Sequence, residues 1–353
     1  MSFRGPRTHK APKPAGFSTC FSMIGASAKG RALRVGLLAI FLAGPLDWPQ
    51  CPALAASTTE GLWKIRKVAH CGGFLEGPTL GTDGLLRVLD LLRGKVLEVR
   101  DGQCIPVALT GGLANGAKNG LDGAMYIADA RRGVLRLAPG AKDATIEIGE
   151  VDGKALTGAN DLAFDASGGL YITVPAESSH SHPTGTVYYQ ARRGAPARVF
   201  YANLSYPNGI ALSPDGKMVF VGQFTEKSII ALPSATNRDE IKSDYVFAHT
   251  SGGIGPDGMI VDRAGRLIWA NFGNGTLTIA DAFGNIIGTI VLPSRAGRRV
   301  TNVVEGANGY FITEAEKGEI WEVLRRPGRR SATSFQKTRT RPDHPVRHRI
   351  SRN

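Results

Sequence analysis

The stretch Ser213-Pro-Asp-Gly-Lys-Met-Val-Phe-Val221, followed after a short turn by Ser228-Ile-Ile-Ala-Leu232, decides the fold. Pro-Asp-Gly is turn chemistry, because Pro pre-sets φ and Gly tolerates the positive φ that closes a tight turn. The residues after it are β-branched or aromatic and too few for a helix, so they predict a strand with the next apolar run as its hairpin partner. The same unit recurs. Leu121-Asp-Gly-Ala-Met-Tyr-Ile-Ala-Asp129 leads to Gly133-Val-Leu-Arg-Leu137, and other copies centre on Asp83-Gly84, Ser167-Gly168, Ala264-Gly265 and Asn308-Gly309. The turn glycines at 84, 123, 168, 216, 265 and 309 are spaced by 39, 45, 48, 49 and 44 residues. That is the period of a four-stranded propeller blade. Nothing in 60–324 keeps a helical i, i+3, i+4, i+7 pattern, which argues against crossover helices. The pattern predicts an all-β, six-bladed β-propeller over residues 57–324.

The ring must also close. The sixth unit ends at Glu319-Ile-Trp-Glu-Val-Leu324 and then meets a basic tail, so it lacks an outer strand. A spare strand, Leu62-Trp-Lys-Ile-Arg-Lys-Val-Ala69, sits at the other end. Paired onto the last blade, this N-terminal strand leaves no open sheet edge there.

The charge separates core from ends. The chain of 353 residues carries a net charge of +13, which suggests a nucleic-acid partner at first sight. Residues 1–34 hold seven Lys or Arg and no acid, however, and 325–353 hold ten with only Asp343 against them. The part between is slightly acidic, so no basic groove for specific nucleic-acid binding is expected. The tail 325–353 is rich in Arg, Ser, Thr and Pro, and is expected to be disordered. Residues 1–56 read as a secretory signal: a basic stretch, the apolar run Val35 to Gly44, and the small-residue site Ala53-Leu-Ala-Ala56. The apolar run is about half the ~20 residues that span a bilayer, so cleavage and export to the periplasm or outside the cell are expected, with no transmembrane anchor left. Cys20 and Cys51 would leave with the signal. Cys71 and Cys104 would remain, either paired in an oxidising compartment or as two separate buried thiols.

Counting back eight residues from each turn glycine reaches Glu76, Asn115, Asn160, Asn208, Asp257 and Thr301. Equivalent positions of all blades are related by rotation about the central axis, so residues just before the innermost strands face one another across one tunnel mouth. Asn or Asp beside Pro or Gly is more often an ordinary turn former. Recurrence at one fixed offset, with Glu76 among the set, favours a ring of oxygen ligands instead. Carboxylates mixed with amides suit calcium, which takes six to eight oxygens; zinc would ask for His or Cys.

The stretches Phe74-Leu-Glu-Gly-Pro78, Gly158-Ala-Asn-Asp-Leu-Ala-Phe-Asp165, Tyr206-Pro-Asn-Gly-Ile210 and Gly255-Pro-Asp-Gly-Met259 resemble the four signature stretches of the SMP-30/gluconolactonase family. The resemblance runs over most of 60–324 and includes His182-Pro-Thr-Gly185 and Thr301-Asn302. It implies a propeller that binds one catalytic divalent cation, usually calcium, and hydrolyses lactones. On the matching positions Glu76, Asn208 and Asp257 would be metal ligands, and Asn160 a ligand or a holder of substrate and metal-bound water. Asp257 would double as the general base, or attack directly as a nucleophile. Asn115 and Asn302 are candidates for orienting substrate, with turn or core roles as the alternative.

Two departures bear on the substrate. Sugar-lactone members often have an Arg where Gly158 stands here, and an Asp where Val174 stands; both changes remove polar grip. His180 and His182 lie in the loop Ser178-Ser-His-Ser-His-Pro183, as acid, base or second metal ligands, with His182 also a substrate-binding candidate, or as solvated loop residues. Lys118 reads either as an anchor for an anionic substrate or as an exposed lysine. The expected activity is metal-dependent opening of a small lactone or related ester by a monomer. The alternatives are a metal-dependent lyase with a histidine near the metal, and a non-catalytic exported propeller stiffened by calcium that binds a ligand or partner.

Overall fold

In the computed structural model the described residues are 62–237 and 243–326, so the signal region 1–56 and nearly all of the basic tail lie outside them. Among the described residues there is no helix, and hence none long and apolar enough to cross a membrane. Strands pair antiparallel into six four-stranded sheets, with one small hairpin, Glu150–Val151 with Lys154–Ala155, between the second and third. The innermost strands of blades 1 to 6 are Leu75–Leu80, Ala114–Asn119, Leu162–Phe164, Pro207–Leu212, Gly255–Val261 and Val300–Glu305. Each packs on the next in chain order, and the last packs back on the first. This is the closed six-bladed propeller that the spacing predicts.

Turn chemistry explains five of the six repeats. Gly84, Gly123, Gly168, Gly216 and Gly265 adopt φ of +75°, +75°, +87°, +69° and +75°, where a Cβ would be strained. Gly309 differs. It opens the strand Gly309–Glu314, and its bare Cα lets the carbonyl of Val323 pack against it.

The apolar faces of the strands form six clusters, one between each pair of neighbouring blades. Tyr171, Trp269 and Trp321 are fully buried in three of them. The cluster between blades 6 and 1 is the smallest, with seven buried residues against ten to thirteen in the others. Two devices reinforce that seam. Trp63–His70 pairs antiparallel with Glu319–Arg325 and completes blade 6 as the outer strand, one residue later than the stretch read from sequence. Just after it, Cys71 is disulfide-bonded to Cys104 on the outer strand of blade 1, with a Cα–Cα distance of 5.3 Å. The pairing resolves the choice left open by the sequence, and it fastens the closing strand to the first blade.

Candidate functional site

The six positions reached by the eight-residue offset all lie at or just before the starts of the innermost strands. The ladder there is irregular in five blades, between Glu76 and Thr79, Ala114 and Ala117, Pro207 and Ile210, Pro256 and Met259, and Val300 and Asn302. An irregularity of this kind bends the strand and re-aims its side chains. The residue that follows is glycine in four blades: Gly77, Gly116, Gly209 and Gly258. A Cβ on Gly77, at φ +46°, would lie 2.5 Å from the Asn115 carbonyl; one on Gly209 would strike the backbone of Asp257. These glycines let the innermost strands of adjacent blades approach closely.

Glu76, Asn160, Asn208 and Asp257 are all buried, at 3%, 7%, 6% and 6% exposure. Within the set, Asn208 and Asp257 meet directly, and Glu76 feels neighbouring carboxylate charge. The Asn208 amide donates to the Asp257 carboxylate, and the Asn302 amide donates to Glu76. Asn160 ties blades 2 and 3 through its backbone: its N–H donates to the Thr173 carbonyl at 2.8 Å and its carbonyl accepts from the Gly116 N–H at 2.7 Å. Asn115 is partly buried on blade 2 beside Gly77. The Thr301 hydroxyl is engaged elsewhere, donating to the Leu75 carbonyl at 2.7 Å and so joining blade 6 to blade 1. His182 is exposed, and its backbone closes a turn with Ser179. The His180 ring pairs with Glu226 in the loop of blade 4.

One functional candidate, Asp161, went unread in the sequence. Four of the residues one step past the ring are glycine, but in blades 3 and 6 that place is taken by Asp161 and Asn302. Asp161 is fully buried and interacts electrostatically with both Glu76 and Asp257. Reading the residue after each ring position would have found it. Lys118 is its partner, with Nζ 3.7 Å from Asp161 Oδ1 and a side chain only 24% exposed, so it is not a free surface lysine.

Three buried carboxylates thus lie within electrostatic reach of one another, and the Lys118 ammonium acts on Asp161 and Glu76. Burial pushes Glu76 from its ordinary 4.5 up to about 8; the Asp161 charge adds to this, and the Gly77 N–H, Asn302 and Lys118 oppose it. Asp257 is also raised well above the ordinary range, by burial first and then by Glu76 and Asp161. Asp161 is raised by burial, with Lys118 opposing. Without a further positive charge the cluster holds a proton near neutrality. A raised folded-state pKa means that the unfolded chain releases its proton first as pH rises, so stability declines between the ordinary value and the raised one. For Glu76 that window runs from 4.5 to about 8. Melting of metal-free protein should accordingly move to lower temperature from about pH 5 to about pH 8, and added calcium should raise it most at the upper end. A metal-free melting temperature that climbs across this window would contradict the assignment.

The cluster also fits a cation. Among the described residues no three His, Cys, Asp or Glu side chains form a metal-binding group by themselves. The set here mixes carboxylates with the amides of Asn160 and Asn208. Asp161 Oδ2 is buried with no hydrogen-bond partner, which is costly for a carboxylate unless a positive charge compensates. An all-oxygen, net-negative set of this kind matches a hard divalent ion such as calcium and lacks the nitrogen and sulfur donors typical of zinc.

Comparison with known proteins places the fold in a family. Residues 74–316 match the SMP-30/Gluconolactonase/LRE-like region family. The chain is 32% identical over 138 residues to Lactonase drp35 of Staphylococcus aureus, covering 38% of this chain and 42% of that protein. It is 27% identical over 215 residues to Gluconolactonase of Zymomonas mobilis, covering 56% and 59%. The chain therefore spans about half the length of these curated relatives. A solved structure described as a gluconolactonase of Xanthomonas campestris superposes with a TM-score of 0.66 at 25% identity, covering 78% of this chain and 93% of that one.

Proposed function

The chain belongs to the SMP-30/gluconolactonase/LRE-like family, and on that premise we propose that it is a calcium-dependent lactonase acting at the mouth that carries Glu76 and Asp257. The observation that carries this reading is the convergence of Glu76, Asp161 and Asp257 as buried, mutually repelling carboxylates, with one oxygen of Asp161 left without a partner. Glu76, Asn160, Asn208 and Asp257 would hold the ion, with Asp161 beside them. A bound divalent cation would supply Lewis-acid polarisation of the lactone carbonyl.

The remaining chemistry belongs to the chain. Asp257 takes a proton from the attacking water, whose oxygen bonds to the carbonyl carbon. The ring C–O bond then breaks, and the released alkoxide recovers a proton to give the open hydroxy acid. Asn208 fixes the orientation of Asp257 through their hydrogen bond, and Asn302 does the same for Glu76. Lys118 offsets part of the negative charge through Asp161. The Cys71–Cys104 disulfide supports export to an oxidising compartment, as a disulfide would not persist in a reducing cytosol.

The test is acid release from a panel of lactones at constant pH, with chelator-treated protein before and after calcium is restored. Turnover should be lost on chelation and return with the ion. Undiminished turnover in chelator would overturn the calcium dependence, and saturable calcium binding without turnover of any lactone would favour the non-catalytic binding reading.

A further inference from the structure

The same mouth carries a feature that the catalytic reading does not use. Four partly buried aromatic rings form a continuous line beside the carboxylates: Tyr206 to Phe224 at 5.6 Å between centroids, Phe224 to Phe272 at 5.9 Å, and Phe272 to Phe74 at 6.5 Å. Their places in the fold put them at the mouth. Phe74 and Tyr206 each stand two residues before a ring member, Glu76 and Asn208. Phe272 ends the second strand of blade 5 directly opposite Gly255, two residues before Asp257. The Phe224 N–H donates to the Tyr206 carbonyl at 3.0 Å. Tyr206 is also close enough to Asp257 to feel its charge. Beside this line, Ile254 is 53% exposed.

Blade 3 is small and apolar at the place equivalent to Phe74 and Tyr206. Gly158 holds the equivalent place on blade 3, and Val174 Cγ1 lies 3.7 Å from where a Gly158 Cβ would be. Of the six equivalent places, Phe74, Leu113, Gly158, Tyr206, Gly255 and Arg299, one alone is charged. A polyhydroxylated ring needs hydrogen-bond partners for each hydroxyl it buries and loses affinity where they are missing. A wall of four rings offers instead a face for stacking and apolar burial.

We propose that this mouth selects lactones bearing an aryl or alkyl substituent, seated against Phe74, Phe272, Phe224 and Tyr206, over polyhydroxylated sugar lactones. The proposal rests on the lactonase reading above and deepens it by naming the substrate class. Phe272 and Phe224 are the two inner rings of the line, each neighbouring two of the other three, and Phe272 stands opposite Gly255 near Asp257.

The test compares γ-phenyl-γ-butyrolactone with unsubstituted γ-butyrolactone and with D-glucono-δ-lactone on calcium-loaded, full-length protein. Wild type should turn over the phenyl lactone with the highest kcat/KM. Phe272→Ala should reduce its preference for the phenyl over the unsubstituted lactone about ten-fold, the order expected for one apolar contact in a binding pocket, and chiefly through KM. Phe272→Leu, which keeps apolar bulk, should recover most of that preference. Phe224→Ala provides a second reading should Phe272→Ala fail to fold. A wild type that prefers the sugar lactone, or variants that keep the phenyl preference unchanged, would overturn the proposal while leaving the lactonase reading intact. Failure on all three lactones would remove both.

Discussion

Exchanging Asp257 for Asn is expected to lower kcat/KM for lactone opening by about 10²–10⁴-fold, the range for loss of a general base. The exchange is isosteric, so the strand geometry around Gly258 is kept. It removes the proton acceptor, and it also removes one negative charge from the set that would hold calcium. A second signature separates this outcome from simple misfolding. Asp257 is a buried carboxylate whose charge is opposed by burial and by Glu76 and Asp161. Taking that charge away relieves repulsion in the metal-free state, so the metal-free variant should melt no lower than wild type near pH 8. The stabilisation gained on adding calcium should shrink at the same time. An Asp257→Asn protein with full turnover would show that the reacting centre lies elsewhere.

Deleting residues 57–69 is expected to abolish cooperative folding. The deletion removes nearly all of the strand Trp63–His70, and with it the ladder to Glu319–Arg325. It takes Trp63 and Ile65 from the cluster between blades 5 and 6, and Val68 and Ala69 from the smallest cluster, between blades 6 and 1. The ion pairs Arg66–Glu322 and Lys67–Glu319 go too, although as partly exposed pairs they contribute little. The exposed edge of Glu319–Arg325 would then be open to pairing with other chains. A milder probe of the same seam is the double variant Cys71→Ser/Cys104→Ser. The disulfide closes a loop with a sequence separation of 33, for which the chain-entropy relation gives a loss of about 3–4 kcal/mol. Urea denaturation measures both. An unchanged midpoint in the deletion variant would contradict the closure described here.

What could be read in advance follows from repetition. One Asn before Gly reads as a turn; five Glu, Asn or Asp residues at one offset from a recurring turn point to a ring, and two of them, Asn208 and Asp257, share a hydrogen bond. Where the repeat is broken the reading weakened. Gly309 stands at the right spacing but in a strand with ordinary φ, and the Thr301 hydroxyl in that blade is spent on the Leu75 carbonyl. Asp161 lies within Gly158–Asp165, and its significance comes only from being an exception to four glycines at that place. Lys118 could not be told from a surface lysine until blades 2 and 3 were seen side by side. The aromatic wall is invisible in the sequence for a related reason: Phe272 ends a second strand and Phe224 follows one directly, and only the antiparallel return brings them beside Tyr206 and Phe74. The disulfide likewise depends on a distance across the ring seam that no spacing encodes.

The central claim is that Glu76, Asn160, Asn208 and Asp257, with Asp161 beside them, form one calcium centre. Calorimetric titration of chelator-treated protein with calcium tests it most directly. The account predicts a single saturable site in wild type, weakened at least about ten-fold in Asp257→Asn, since one ligand and one full charge are lost together. No saturable binding in wild type, or an identical isotherm in the variant, would contradict it.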